Sequence, residues 1–343
     1  MGEMPFLSYA QRYEDVYLSR CFAGLRAGFY IDIGAGHPVH DSASFAFYLQ
    51  GWRGITVEPN PRLVRLTRAV RPRDCCIEAV IGGASGEATF YLVDELHGFS
   101  TTIEAHAQSA QEQFGKPSRS HRVPMLSLSE LCRQNAPRTF EFLKIDVEGA
   151  EKEVLFSGDW ENFRPKVIVI EALAPYTLAP AWHEWEPFLN QHGYAYACFD
   201  TLNRYYVAQE AQELAKRFDD IESATACTHQ LRSVDPAHMD AAHPDHALAT
   251  LLARAFMTEL PLLDFDLMCR LLTIDTPAEQ LDRPAEPEKI DEAVARVLGS
   301  GASFGARNLL VSGAPTLREV YAAIVASDDF RAAAGRISAS NAW

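Results

Sequence analysis

Four short apolar runs in this chain each finish on or beside an acidic residue, and that repetition is the tightest constraint on its fold. FYIDI (29–33) carries Asp32 just before Gly34, GITVE (54–58) ends on Glu58, FEFLKID (140–146) ends on Asp146, and KVIVIEA (166–172) closes on Glu171 and Ala172. Short continuous apolar runs separated by helical patterns read as strands buried on both faces, as in a mostly parallel sheet with helices on either side. Ligands in such sheets gather at the carboxyl ends of the strands, where the strand order switches. An acid at each of these ends is placed for chemistry. CCIEAVI (75–81) adds a further strand and ATFYLV (88–93) another, while YAYACF (194–199) and RYYVA (204–208), joined by DTLN, form a closing hairpin. The expected fold is α/β: a Rossmann-like, mostly parallel sheet with an antiparallel terminal hairpin, followed by a C-terminal helical region.

Local signals place the helices between these strands. Asn60 caps a helix with Pro61 at its first position, and Ser127 with Glu130 forms a capping-box pattern. A helix is expected around Ser42–Gln50, following the Gly turn, and HEWEPFLNQHG (183–193) reads as an amphipathic helix. The polar stretch 94–122 reads as a long loop, of a size usually tied to function. Periodicity is lost after about residue 209, and helical patterns return from 246. The expected domains are a catalytic domain over 1–210, a linker over 211–245 and a helical accessory domain over 246–343. His238, His243 and His246 fall where Pro, Ala and Asp dominate, and read as solvated.

Composition narrows the function classes. The 343 residues carry a formal charge of −15, which repels phosphate backbones and argues against nucleic acid as the main partner. The seven cysteines show no C-x-x-C spacing, as suits a reducing cytoplasm, and a cytoplasmic protein is expected. No apolar run approaches the ~20 residues of a membrane span. The helical region offers a surface for oligomer formation.

The sharpest motif is Ile31-Asp32-Ile33-Gly34-Ala35-Gly36 at the first strand's end. Glycines there let the backbone approach a ligand, and Glu58 at the next strand's end can accept hydrogen bonds from both hydroxyls of a ribose. The pattern specifies an adenosine-type ligand. A dinucleotide fingerprint would need glycine at Val39, and Pro38 removes a donor where pyrophosphate would sit. S-adenosylmethionine (SAM) fits better than NAD. A second constellation, Lys144-Ile145-Asp146-Val147-Glu148-Gly149-Ala150-Glu151, leaves another strand end; Asp146 faces the cleft, Glu148 caps a helix or serves the substrate, and Glu151 lies on a solvated first turn.

These segments resemble FkbM-type methyltransferases. The likeness rests on SYAQRYEDVYL (8–18), IDIGAGHPVHDSASFAFYLQGWRGITVEPNP (31–61), GFSTT (98–102), HRVPMLSLSELC (121–132), FLKIDVEGAEKEVLFSGDW (142–160) and FDTLNRYYVA (199–208). It implies a class I SAM-dependent fold and methyl transfer, usually to oxygen, often on glycans, glycolipids or secondary metabolites. It also implies that Gly34, Gly36 and Glu58 hold SAM, with Asp146 near the sulfonium and the acceptor. Three positions depart from the family pattern: Gly36 stands where Asn is common, and Tyr13 and Thr201 stand where Gly is common.

The expected site follows. Asp32, Gly34, Ala35, Gly36, Glu58 and Asp146 bind the cofactor; Asp146, Glu171 and His37 are the catalytic candidates; Glu148, Arg204 and Ser100 face the acceptor. An alcohol is a poor partner for an ordinary carboxylate base, so either burial raises the carboxyl, a metal acidifies the hydroxyl, or His37 or His183 takes the proton. Asp146 and Glu171 can hold Mg²⁺ with water and acceptor oxygens. Gln11, Glu14 and Asp15 precede the first strand and either lie over the cleft or are solvated. Asp200 and Asn203 are ordinary turn formers. Tyr176, Trp182 and Trp185 either stack on a sugar or pack in the core. The function expected is O-methylation of a sugar, glycolipid or related small hydroxylated acceptor. Its rivals are an NAD-linked oxidoreductase and a non-catalytic, methyltransferase-like interaction protein.

Overall fold

The computed structural model describes residues 7–93, 100–115, 117–175, 177–219, 225–226, 228–231, 237, 239–251, 259–273, 276–299 and 314–340. Tyr176 and His238 lie outside them. The chain divides into two compact units, Met1–Arg68 with Pro72–Gln230, and Ala69–Arg71 with Leu231–Trp343.

The first unit is built on seven strands. In chain order these are β2 (Phe29–Ile33), β3 (Arg53–Val57), β4 (Cys75–Ile77), β8 (Thr139–Ile145), β9 (Arg164–Glu171), β10 (Tyr194–Phe199) and β11 (Asn203–Ala208). Their spatial order is β10-β11-β9-β8-β2-β3-β4. The five strands β9, β8, β2, β3 and β4 run parallel, β11 is antiparallel to β9, and β10 is antiparallel to β11. The mainly parallel sheet with its closing hairpin is the expected one.

Alternation along the strands sends successive side chains to opposite faces. On one face, Ile31, Ile33, Ile55, Val57, Ile145, Ile168 and Ile170 pack under Leu131, Val154, Leu155, Trp185 and Leu189. On the other, Tyr30, Phe142, Val167, Val169, Tyr205 and Val207 pack under Tyr17 and Leu18 of α1 (Glu14–Cys21), and under Phe47 and Trp52. Both faces are covered, which is why these runs carry so few polar residues until their last positions.

Three expectations need correction. CCIEAVI is two strands: β4 stays in the main sheet, while β5 (Val80–Ile81) joins a smaller sheet of order β5-β7-β6 with β6 (Gly86–Val93) and β7 (Ser118–Leu126). The polar loop over 94–122 contains α4 (Glu104–Phe114) and the start of β7. Among the described side chains, the residues that helix buries are the small Ala107 and Ala110, and β7 carries Pro124 in an exposed ribbon; neither produces an apolar period. The helix expected around Ser42–Gln50 is present as α2 (Phe45–Leu49). In the stretch expected to be linker, Gln209–Phe218 forms a 3₁₀ helix whose Ala211 and Phe218 are buried against Tyr17 and Tyr205, and β12 (His229–Gln230) pairs with β1 (Leu7–Ser8).

The second unit is helical where described: His246–Leu251, Phe265–Leu272, Ala278–Leu281, Pro287–Leu298, Leu317–Ala326 and Asp328–Ser340. Leu248, Leu260, Ile290, Val297, Ile324 and Ile337 form its core. His243 is not solvated as expected: its side chain is fully buried, beside an Asp245 carboxylate held by Nε and Nη2 of the Arg336 guanidinium, each at 2.6 Å. Among the described residues, no helix is long and apolar enough to cross a membrane.

Candidate active site

The registers of the sheet assemble the site. Ile33 pairs with Val57 on one side and Ile145 on the other, Ile145 pairs with Ile170, and Glu171 pairs with Asn203. One residue beyond the three isoleucines and Val57 stand Gly34, Asp146, Glu171 and Glu58. Across five strands the sheet therefore ends in a single row, Glu58–Gly34–Asp146–Glu171–Asn203. Backbone bonds continue the ladder into it: Gly34 N–H to Val57 O at 3.0 Å, Asp146 N–H to Ile33 O at 3.0 Å, and Glu58 N–H to Ile77 O at 3.1 Å. Two residues back on the same face lies Thr56–Asp32–Lys144–Val169–Tyr205, and two further back the apolar row of Tyr30, Phe142, Val167 and Val207.

On the cofactor side, Gly34 has φ +75°, and a Cβ there would lie 1.6 Å from the Asp146 carbonyl oxygen. Only glycine lets the two strands meet at this point. Glu58 is buried; its Oε2 accepts from Gly36 N–H at 2.9 Å and its Oε1 from Asn60 N–H at 2.8 Å. Burial pushes its carboxyl up to about 7 against the pull of those two donors, with Asp32 and Asp146 adding to the rise. Asp32 is buried, accepts from Ser44 Oγ on Oδ2 at 2.5 Å, and leaves Oδ1 without a partner. His37 stands at the end of the loop, but its Nδ1 accepts from Val39 N–H at 3.2 Å and His40 N–H at 3.0 Å. The ring is engaged in holding the turn.

On the other side of Gly34 sits an acidic group with one cation. Lys144, 4% exposed, donates to Asp146 Oδ2 at 2.8 Å. Burial works against its charge, but Asp146, Asp32 and Glu14 outweigh burial and hold it protonated. Glu148 sits at φ +55°, its carbonyl accepting from Thr101 Oγ1 at 3.1 Å and lying 3.1 Å from His106 Nδ1. Ser100, next to Thr101, accepts from Val93 N–H at 3.1 Å, so the segment at 100–106 closes on the 146–151 turn. Glu151 is buried, contrary to the solvated position expected, because its Oε1 accepts from both Val147 and Gly149 N–H at 3.1 Å. Burial raises its carboxyl to about 7. Burial, then repulsion from Asp146, lifts Glu148 and Glu171 well above the carboxylate range. Carboxylate oxygens of Asp146, Glu148 and Glu171 all lie within 4.8 Å of one another, a group able to take a cation.

The first helix and the closing hairpin complete this end of the sheet. Glu14 Oε1 accepts from Asn203 Nδ2 at 2.9 Å, and Asp200 accepts from the Leu202 and Asn203 N–H groups and from Tyr205 OH at 2.7 Å. Burial, then Asp200, raises Glu14 to about 8. Asp15 is structural, accepting from Ser8 Oγ and Tyr9 N–H. Of the residues the sequence points to here, Glu14 is buried rather than solvated and Asn203 does more than form a turn; Lys144, which the sequence reading gives no role, is signalled by the polar interruption in FEFLKID. Arg204 is not brought to the row. It projects from the opposite face of β11, bonded to Glu186 at 2.8 Å and stacked on Tyr196 at 4.1 Å and Trp182 at 4.6 Å. Trp185 is buried against Tyr206, and the exposed His183 packs beside Trp182 at 5.0 Å.

Both departures from the family's glycines sit in the left-handed region: Tyr13 at φ +63° and Thr201 at φ +83°. A β-branched residue there is strained. Thr201→Gly is expected to raise stability by about 1 kcal/mol, read as a rise of ~2–4 °C in the melting midpoint. An unchanged or lower midpoint would show that the turn carries no such strain.

Residues 32–196 match the family described as Methyltransferase FkbM domain. No curated protein matches the chain significantly. Among solved structures, a TehB-like SAM-dependent methyltransferase from Corynebacterium glutamicum is similar over 57% of this chain and 87% of its own, at 10% identity and a TM-score of 0.33. The matched span opens at Asp32 and contains Gly34, Glu58, Asp146 and Glu171, so residues 32–196 of this chain form a methyltransferase domain of the FkbM type.

Proposed function

We propose that this domain transfers a methyl group from SAM to a hydroxyl oxygen of a sugar, glycolipid or related small hydroxylated acceptor. The observation that carries the reading is the row itself: a ribose-gripping glutamate, a side-chain-free turn and two acids side by side at one sheet edge. SAM, when bound, supplies an electrophilic methyl on a sulfonium. Asp32, Gly34, Ala35, Gly36 and Glu58 hold it, and the unpartnered Asp32 Oδ1 is an acceptor suited to its ammonium group. Asp146, bonded to Lys144, would lie near the sulfonium. In-line displacement depends chiefly on positioning, which this rigid edge supplies.

The hydroxyl proton needs a base stronger than an ordinary carboxylate. Glu171 and Glu148 fit: burial and their neighbours raise both, and Glu171 Oε2 is buried with no partner. His37 is the weaker candidate, because protonating Nδ1 would displace two backbone donors. Ser100 and Thr101 lie beside the Glu148 turn and serve the acceptor side. Lys144 is bonded to Asp146, which favours a neutral acceptor over an anionic one.

Titration calorimetry with the full chain tests the cofactor. SAM should bind, and Glu58→Ala and Asp32→Ala should each weaken it about tenfold, the cost of a lost charge-assisted hydrogen bond. Folded protein that takes NAD and ignores SAM would remove the reading.

A further inference from the structure

We infer that Asp146, Glu148 and Glu171 form a site for a hydrated divalent cation of the Mg²⁺ or Mn²⁺ class, with Asn203 Oδ1 accepting from the ion's water or from the acceptor hydroxyl. The site stands on side-chain geometry; its use in methyl transfer, in which the ion would acidify the hydroxyl and Glu148 and Glu171 would be its ligands instead of the unaided base, rests on the reading above.

Two independent observations lead here. The first is the grouping of three carboxylate oxygens within 4.8 Å of one another, among the described residues. Oxygens bound to one hard cation sit about 2.0–2.6 Å from it, so opposite ligands are up to roughly 5 Å apart, and the span matches. The nearby Lys144 offsets part of the charge but spends its bond on Asp146 Oδ2. Among the described residues, no cation pairs with Glu148 or Glu171.

The second observation is Asn203. It is 1% exposed and pairs with Glu171 across the strands, on the same face. Its Nδ2 is held by Glu14 Oε1 at 2.9 Å and by Asp200 at 3.1 Å, which fixes the amide orientation and turns Oδ1 away from both acids. Among the described residues, Oδ1 is buried without a donor, and so is Oε2 of its neighbour Glu171. Buried acceptors left unmade cost about 1–3 kcal/mol each, so two side by side call for a ligand that brings hydrogens or positive charge. Mg²⁺ keeps several of its waters, and such waters supply both.

Mn²⁺ alone, titrated into the full-length protein and followed by the loss of its free electron paramagnetic signal, tests the site. One Mn²⁺ per chain is expected. Glu171→Gln should weaken it at least tenfold, Asn203→Leu severalfold, and the exposed Asp266→Asn not at all. A Mn²⁺-dependent rise in melting midpoint should vanish with Glu171→Gln, which keeps the side chain's shape and guards against misfolding as the explanation. Absence of Mn²⁺ binding at millimolar concentration, or binding indifferent to Glu171→Gln, would overturn the inference. SAM titration on the same samples separates the two ideas: SAM bound without Mn²⁺ sinks the cation site alone, and Mn²⁺ bound without SAM sinks the methyl-transfer reading alone.

Discussion

Gly34→Ala is expected to abolish SAM binding, with at least a hundredfold loss of affinity, and to destabilise the first unit by about 2–5 kcal/mol. The added methyl would lie 1.6 Å from the Asp146 carbonyl oxygen and 2.8 Å from its carbonyl carbon, and both are backbone. No rotamer relieves that contact; β2 and β8 would have to part at the row that forms the site. Overpacking costs about 1–3 kcal/mol and a positive φ adds 1–2 for a residue with a Cβ. Gly83→Ala is the control, since nothing lies within 4 Å of a Cβ there. Thermal melting and SAM calorimetry on both variants decide the matter. Normal SAM affinity in Gly34→Ala would show that the two strands do not meet as described.

The second large effect is the pH dependence of the ligand-free protein, which should lose stability as pH rises from about 5 to about 8. Glu58 and Glu151 are raised from 4.5 to about 7 and Glu14 to about 8, each chiefly by burial. Between the unfolded and folded values the native state binds more protons than the unfolded chain, so stability is fullest below 4.5 and drains as pH passes through 7 and 8. One pKa unit is about 1.4 kcal/mol, which makes each group worth at most ~3–5 kcal/mol. After allowance for relaxation, a combined loss of about 3–5 kcal/mol, or ~10 °C in midpoint, is expected. SAM should reverse much of it, because ribose hydroxyls donate to an ionised Glu58. The SAM-induced rise in midpoint should therefore be greater at pH 8 than at pH 6, and Glu58→Gln should flatten the difference. A ligand-free midpoint that climbs from pH 5 to pH 8 contradicts the buried-carboxyl account.

The legibility of this chain varies with the physics that places each residue. Strands β2, β3, β8, β9 and the hairpin were readable because burial on two faces forces continuous apolar runs. Asp32, Gly34, Glu58, Asp146 and Glu171 were readable because they interrupt those runs at one sheet edge. Helix α4 and strand β7 were not, since a helix whose described buried residues are Ala107 and Ala110 and a ribbon containing Pro124 give no clear period. Glu151 and His243 were misplaced for a related reason: a charged or titratable side chain looks solvated until its buried partners are known. Those partners are the Val147 and Gly149 N–H groups in one case and the Asp245–Arg336 neighbourhood in the other.

Sequence by itself determined the layered α/β architecture and the five acids and glycines at its edge, because strand period and burial are local properties of the chain. Tertiary structure alone decided which of them share a row, since register between strands is set by packing on both faces and not by any one segment. It also set Lys144 under Asp146, brought Glu14 across 189 positions to Asn203, and sent Arg204 to the far face of its strand. Those juxtapositions depend on the parity of a side chain along a paired strand, a property that exists only once its neighbours are in place.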